Sequence, residues 1–149
     1  MAQTTGQITG KDLEIQLSTD GTNYTDYSGS TNAVEPSGGE RSKGELHTFD
    51  TDYPLIATGK RAAVTVKIKV VYTEVSGEAA DTLHGYYVND TPVYLRFRPR
   101  GTAATRWQFT GGPGYITTMV APQLDAGNGE PVAVSMEWYG PALTQSAQT

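Results

Sequence analysis

Residues 105–140 fall into three strand-like runs separated by turn chemistry, and this pattern commits the chain to a mainly β fold. In the first run Trp107 and Phe109 alternate with Arg106 and Gln108. In the last, Val132, Val134, Met136 and Trp138 alternate with Ala133, Ser135, Glu137 and Tyr139. A period of two marks half-buried strands. The joints hold Gly111, Gly112, Pro113 and Gly114, then Gly127, Gly129 and Pro131 around Asn128. These residues supply positive or fixed φ, so both joints read as turns.

The same period recurs upstream. Leu13, Ile15 and Leu17 alternate with Asp12, Glu14 and Gln16, and an Asp20-Gly21 turn closes that strand. Val64, Val66, Ile68, Val70 and Tyr72 form the longest alternation, opposed by Thr65, Lys67, Lys69, Val71 and Thr73. Val93, Leu95 and Phe97 alternate with Tyr94, Arg96 and Arg98. Between these two strands Ala79, Ala80, Leu83, Tyr86 and Tyr87 make one apolar helical stripe, with Ser76 as the expected N-cap and Glu78 and Asp81 in the first turn. Asn89, Asp90 and Pro92 end it. The expected fold is a β-sandwich or partly closed barrel of about six or seven strands, with one flanking short α-helix and a long extended loop.

At 149 residues the chain fits a single domain, 1–149, with a core that needs no cross-links. Its 37% hydrophobic content, 17 Gly and 8 Pro suit a loop-rich β protein. With 0 Cys, disulfides, thiol nucleophiles and thiolate metal sites are excluded. The N-terminus lacks the basic and apolar regions of a signal peptide, and no apolar run reaches the roughly 20 residues of a membrane helix. A soluble protein made in the cytoplasm, without membrane contact, is expected. The sequons at Asn23 and Asn89 then read as chance matches. Residues 1–10 and 142–149 are polar and read as mobile ends.

Residues 23–60 have few apolar residues and no sustained periodicity, an unusual length for a compact domain. The charged stretch Glu40, Arg41, Lys43 and Glu45 is followed by Leu46, Phe49, Tyr53, Leu55 and Ile56, which need a surface to cover them. Either a short hairpin returns to the parent core, or an arm docks on a neighbouring subunit. The polar half offers the parent core little, which favours the arm. Charge is also segregated. Residues 1–59 carry nine acids and three bases, 60–106 four and eight, and 107–149 three and none, giving −6, +4 and −3 and a net −5. Such segments either orient one subunit against the next or merely solvate strand faces.

Catalytic constellations are missing from the pattern. His84 lies three residues after Asp81 on the helix, as a surface pair would, and His47 lies in the arm with nothing to hold it. Two distant histidines make no zinc pattern, and Asp50 and Asp52 lack the continuation of a calcium loop. Gly59-Lys60-Arg61 lacks the other elements of a phosphate loop. Arg96, Arg98, Arg100 and Arg106, interleaved with Tyr94, Phe97 and Trp107, have the composition of a single-strand nucleic-acid groove. Alternation, however, sends Phe97 and Trp107 inward and the arginines outward, which favours subunit contacts. No catalytic, cofactor or metal residue is expected. The remaining binding alternative is a monomeric carbohydrate-binding sandwich, with Tyr24, Tyr27 and Tyr53 on one surface.

Taken in order, GELHTFDTDYPLIATGKR, VTVKIKVVYTE, a short helix, a strand ending in RFRPRG, a W-x-F strand, GYIT and VSMEWYGPA resemble the major tail tube proteins of long-tailed bacteriophages over roughly residues 10–143. The resemblance implies a structural virion protein whose hexameric rings stack head to tail into a hollow tube for genome delivery. It is made in the host cytoplasm and placed in the tail. Implied partners are the protein itself, a tape measure and other tail proteins, with double-stranded DNA passing through without specific binding. Tail terminators and type VI secretion tubes are similar in fold. In this frame Glu40, Arg41, Lys43, Glu45, Leu46, Phe49 and Tyr53 belong to an inter-subunit arm. Lys67, Lys69, Arg96, Arg98, Arg106 and Glu137 face an interface or the channel.

Overall fold

The computed structural model describes residues 8–102, 105–127 and 129–149. Among these, ten strands and one α-helix form: β1 (Glu14–Ser18), β2 (Thr25–Asp26), β3 (Thr31–Gly38), β4 (Arg41–Leu46), β5 (Leu55–Arg61), β6 (Val64–Val71), α1 (Ala79–Val88), β7 (Val93–Arg98), β8 (Trp107–Met119), β9 (Ala133–Gly140) and β10 (Leu143–Ala147). Eight strands share one sheet in the order β2-β1-β7-β8-β9-β6-β3, with β10 pairing β8, while β4 and β5 pair only with each other. The sheet bends into a sandwich-like shape without closing into a barrel.

The alternations place one face of β1, β6, β7 and β9 inward, as expected. Ile15 and Leu17 on β1, Val64, Val66, Ile68 and Val70 on β6, Val93, Leu95 and Phe97 on β7, and Val134, Met136 and Trp138 on β9 are all buried in one cluster. Each such side chain contributes about 1.5–3 kcal/mol of burial. Helix α1 packs on β8 and β6 and adds Ala79, Ala80 and Leu83 to the cluster.

Three expectations change. The Gly111–Gly114 joint is not a turn but a bend inside one 13-residue strand, β8. Its first half pairs with β7 and β10, its second with β9, so β8 is the corner carrying the chain from one half of the sandwich to the other. Ser76 does not cap α1. The residue at the cap is Glu78, which makes no side-chain cap bond, and the Asp81 carboxylate reaches back to accept from Gly77 N at 2.9 Å. Residues 143–147, expected in a mobile end, form β10 along the first half of β8, because the chain leaving β9 at Pro141-Ala142 crosses to the side of β8 that β7 does not occupy. The matching expectation for residues 1–10 lies largely outside the described residues.

The Asp20-Gly21 turn is present, and Asp20 organises it. Its carboxylate accepts from Asn23 N and Thr22 N, both at 2.8 Å, from Ser18 Oγ at 2.7 Å and from Asn23 Nδ2 at 2.7 Å. The Asn23 and Thr22 amides, with these side-chain donors, hold its pKa well below the ordinary carboxylate range. A depressed folded pKa means that the stabilisation is present above the unfolded value of about 3.9 and is lost as pH falls below it. Asp20→Ala is therefore expected to lower Tm at pH 7, with the gap from wild type closing at acidic pH. A gap that is constant from pH 7 to pH 3 would contradict the assignment.

Candidate assembly surfaces

The first surface is the β4–β5 hairpin. β3 and β6 pair within the main sheet, with Val34 opposite Ile68 and Gly38 opposite Val64. Beyond that, Gly39 N donates to Ala63 O at 3.1 Å and Ala62 N to Glu40 O at 2.7 Å, so the two-stranded ribbon continues across the joint. At the joint Gly38 and Gly39 have φ of +86° and +75°. A Cβ on Gly38 would lie 2.6 Å from Ala63 O, so glycine is required for this bend. Past it every residue of both strands is exposed. Leu46 opposes Leu55 and Glu45 opposes Ile56. Leu46, Phe49, Tyr53, Leu55 and Ile56 are all more than half exposed.

The segment 23–60 thus divides into the short strand β2, an edge strand of the sheet, β3, and a projecting hairpin that includes residues 41–61. An isolated two-stranded hairpin is at best marginally stable in water. One with an apolar tip calls for a partner. Glu40 sits at its root, Arg41, Lys43, Glu45 and Leu46 lie on β4, and Phe49 and Tyr53 lie in the tip.

The second surface is the outer face of β3, β6 and β9. Lys67 stands between Glu35 on β3 and Glu137 on β9, and Lys69 between Ala33 and Ser135. Thr118 Oγ1 lies 3.3 Å from Glu137 Oε2. The result is a polar, mixed-charge sheet face.

Arg96 and Arg98 belong to a different face, on β7, and are engaged within the chain. Arg96 Nε donates to Gln16 Oε1 at 2.7 Å, and its guanidinium lies 3.9 Å from the Tyr24 ring centre. Burial lowers the Arg96 pKa and raises that of Tyr24, and the guanidinium over the ring has the geometry of a cation–π contact. Arg98 pairs with Glu14 at 3.4 Å, and Thr102 also donates to Glu14.

Trp107 departs from the alternation. It is 57% exposed, whereas Phe109, two residues on, stacks on Phe97 with ring centres 5.0 Å apart. β7 ends at Arg98, so the pair that would cover Trp107 on that side is missing. Arg106 is exposed beside it. Sequence reasoning grouped Arg100, Arg106 and Trp107 and put Arg106 at an interface, but it sent the indole inward, because Trp107 shares the phase of a buried residue.

The tyrosines do not form one binding row. Tyr27 packs on the core, Tyr24 lies under Arg96, and Tyr53 is at the hairpin tip. His47 lies in the hairpin and His84 on α1, and no group of three His, Asp or Glu that could hold a metal occurs among the described residues. No helix among them is long and apolar enough to cross a membrane.

No protein-family model and no curated protein matches the sequence. The fold, by contrast, matches solved structures along nearly the whole chain. A chain of the anti-feeding prophage tube-terminating cap superposes with TM-score 0.71 at 11% identity, covering 99% of this chain and 96% of its own. A chain in the tail of an empty gene transfer agent particle gives 0.67 at 11%, covering 95% and 98%. The SPP1 tail tube gives 0.60 at 13%, covering 95% and 80%. The bent eight-stranded sheet, its single helix and its projecting hairpin therefore make a tail-tube-like fold, of the kind found in the tubes and tube terminators of phages and phage-like injection systems.

Proposed function

We propose that this chain is a non-enzymatic structural subunit of a phage or phage-like tail, whose hexameric rings stack head to tail into a tube that conducts the genome. The observation that carries this reading is the β4–β5 hairpin, an exposed ribbon with an apolar tip on a tail-tube-like fold. The sixfold order of the ring is supported by the C6 symmetry of the gene transfer agent tail, whose chain shares the fold. Head-to-tail stacking is a heterologous, non-closing contact, which requires two different complementary surfaces. A hairpin on one copy and a receiving surface on the next satisfy that requirement. The net charge of −5 would let DNA pass without adhering. Partners are other copies, a tape measure and further tail proteins, with assembly in the host cytoplasm and a final place in the virion tail.

A tube-terminator role is the second reading. It is favoured by the fit to the anti-feeding prophage cap and by TM-score 0.70 to a sheath/tube terminator that the match covers to 100%. Negative-stain microscopy of the purified chain, with its mass in solution, separates the two. Long tubes are expected, and rings that never elongate favour the terminator. A stable monomer at high concentration, even with other tail components, overturns both.

A further inference from the structure

The hairpin tip and the site around Trp107 are chemically complementary. In the tip Phe49 and Tyr53 bracket Asp50 and Asp52, and all four side chains are exposed. Around Trp107 a depression of about 360 Å³ is lined by Ile8, Pro99, Arg100, Arg106, Trp107 and Phe109, among others. Ile8 and Trp107 are each more than half exposed there. Neither Arg100 nor Arg106 has an acidic partner among the described residues. One element thus offers two aromatic rings with two carboxylates, and the other an apolar floor with two unpaired guanidinium groups.

Two other depressions fit the tip less well. The groove beside α1, of about 430 Å³, is rimmed by Glu74 and Asp81, which would repel Asp50 and Asp52. The depression at the hairpin root, of about 440 Å³, has Arg61 as its only charged lining residue.

We propose that the hairpin tip of one copy docks in the Trp107 pocket of another copy, with Phe49 and Tyr53 against Trp107 and Ile8, and Asp50 and Asp52 facing Arg100 and Arg106. This rests on the reading of the hairpin as an inter-subunit arm and names the surface that receives it. Aromatic side chains supply the desolvated centre of the contact, and the charge pairs fix its register. Because the contact joins two different patches, it propagates instead of closing on itself. The rim pairs are open to solvent, so assembly weakens as salt rises.

The test uses the full chain. Reversing the tip charges with Asp50→Arg and Asp52→Arg, or the pocket charges with Arg100→Asp and Arg106→Asp, is expected to raise the concentration needed for assembly at least about tenfold in each case. All four reversals in one chain are expected to restore assembly, because the attraction returns with its sign exchanged. All four positions are exposed, so circular dichroism and Tm of the variants should match wild type. Since the protein has 0 Cys, an Asp52→Cys, Arg106→Cys chain offers a direct readout: mild oxidation should give a ladder of disulfide-linked oligomers. A tip reversal that blocks assembly beside a pocket reversal that does not, or an oxidised cysteine pair that stays monomeric while wild type forms tubes, overturns the pocket assignment and leaves the arm reading standing. If wild type never assembles and the cysteine pair gives no ladder, both fall.

Discussion

Trp138→Ala is expected to remove most of the stability of the monomer. The Trp138 side chain is fully buried where the two halves of the sandwich meet, and its Nε1 donates to Val93 O at 2.9 Å across the core. The indole lies against the backbone of the β8 corner and the end of β9. A Cβ on Gly140 would stand 2.2 Å from Trp138 Cη2, and one on Gly114 would stand 2.6 Å from Trp138 Cε2. Those glycines leave the space that the ring fills. Truncation to alanine costs about 3–5 kcal/mol in transfer and cavity terms. Leaving the Val93 carbonyl unpaired adds about 1–3 kcal/mol. Against a typical domain stability of about 5–15 kcal/mol, the sum is decisive. Urea unfolding followed by circular dichroism should show either no folded baseline or a large fall in midpoint. The converse change, Gly140→Ala, forces a methyl group into the ring and should cost about 1–3 kcal/mol. A loss below about 1 kcal/mol for Trp138→Ala would show that the corner does not depend on the indole.

The strands that build this core were legible in the sequence because each buries one face only. Ile15 and Leu17, the Val64 to Val70 series, Val93 to Phe97 and Val134 to Trp138 all face inward in the phase that their alternation gives. Edge strands carry no such signal. β3 pairs only with β6 in the sheet and is half to fully exposed, so its residues show no apolar period, and Pro36 is tolerated there because an edge position can dispense with an amide donor. β10 was hidden for the same reason. The continuity of β8 was hidden because glycine and proline mark a bend in a strand as readily as a turn between strands.

Part of the candidate assembly site was visible as a local surplus, since Leu46, Phe49, Tyr53, Leu55 and Ile56 are too apolar for a solvated loop. The receiving pocket was not. It brings Ile8, from the start of the chain, against Arg100, Arg106 and Trp107, and it exists because β7 stops short of covering Trp107. The arginines of β7 show the reverse case. Arg96 and Arg98 look available in the sequence, but Gln16, Tyr24 and Glu14 on or near β1 and β2 engage them.

Replacing residues 41–61 by a two-residue Asn-Gly turn is expected to abolish tube formation while leaving the monomer folded. The cut falls where the chain is already closed, since Ala62 N donates to Glu40 O at 2.7 Å and Gly39 N to Ala63 O at 3.1 Å. Two such facing strands accept a two-residue turn of the kind that Asn-Gly favours. None of the removed residues belongs to the buried cluster, so the core loses nothing. Removing a long, largely exposed excursion also reduces the entropy that folding must overcome, though only slowly with loop length. Tm should therefore stay within a few degrees of wild type, roughly the effect of 1 kcal/mol or less in a domain of this size. Assembly is a different matter, because the hairpin carries five exposed large apolar residues, Leu46, Phe49, Tyr53, Leu55 and Ile56. Under the proposed docking, each shortened copy retains a Trp107 pocket and has nothing to place in the next. Sedimentation and negative-stain microscopy should find monomers or weak small oligomers at concentrations where wild type forms tubes. Normal tubes from the shortened chain would mean that assembly runs through the sheet faces, with Lys67, Lys69 and Glu137 as the first residues to reverse. An unfolded product would mean instead that the hairpin supports its own subunit.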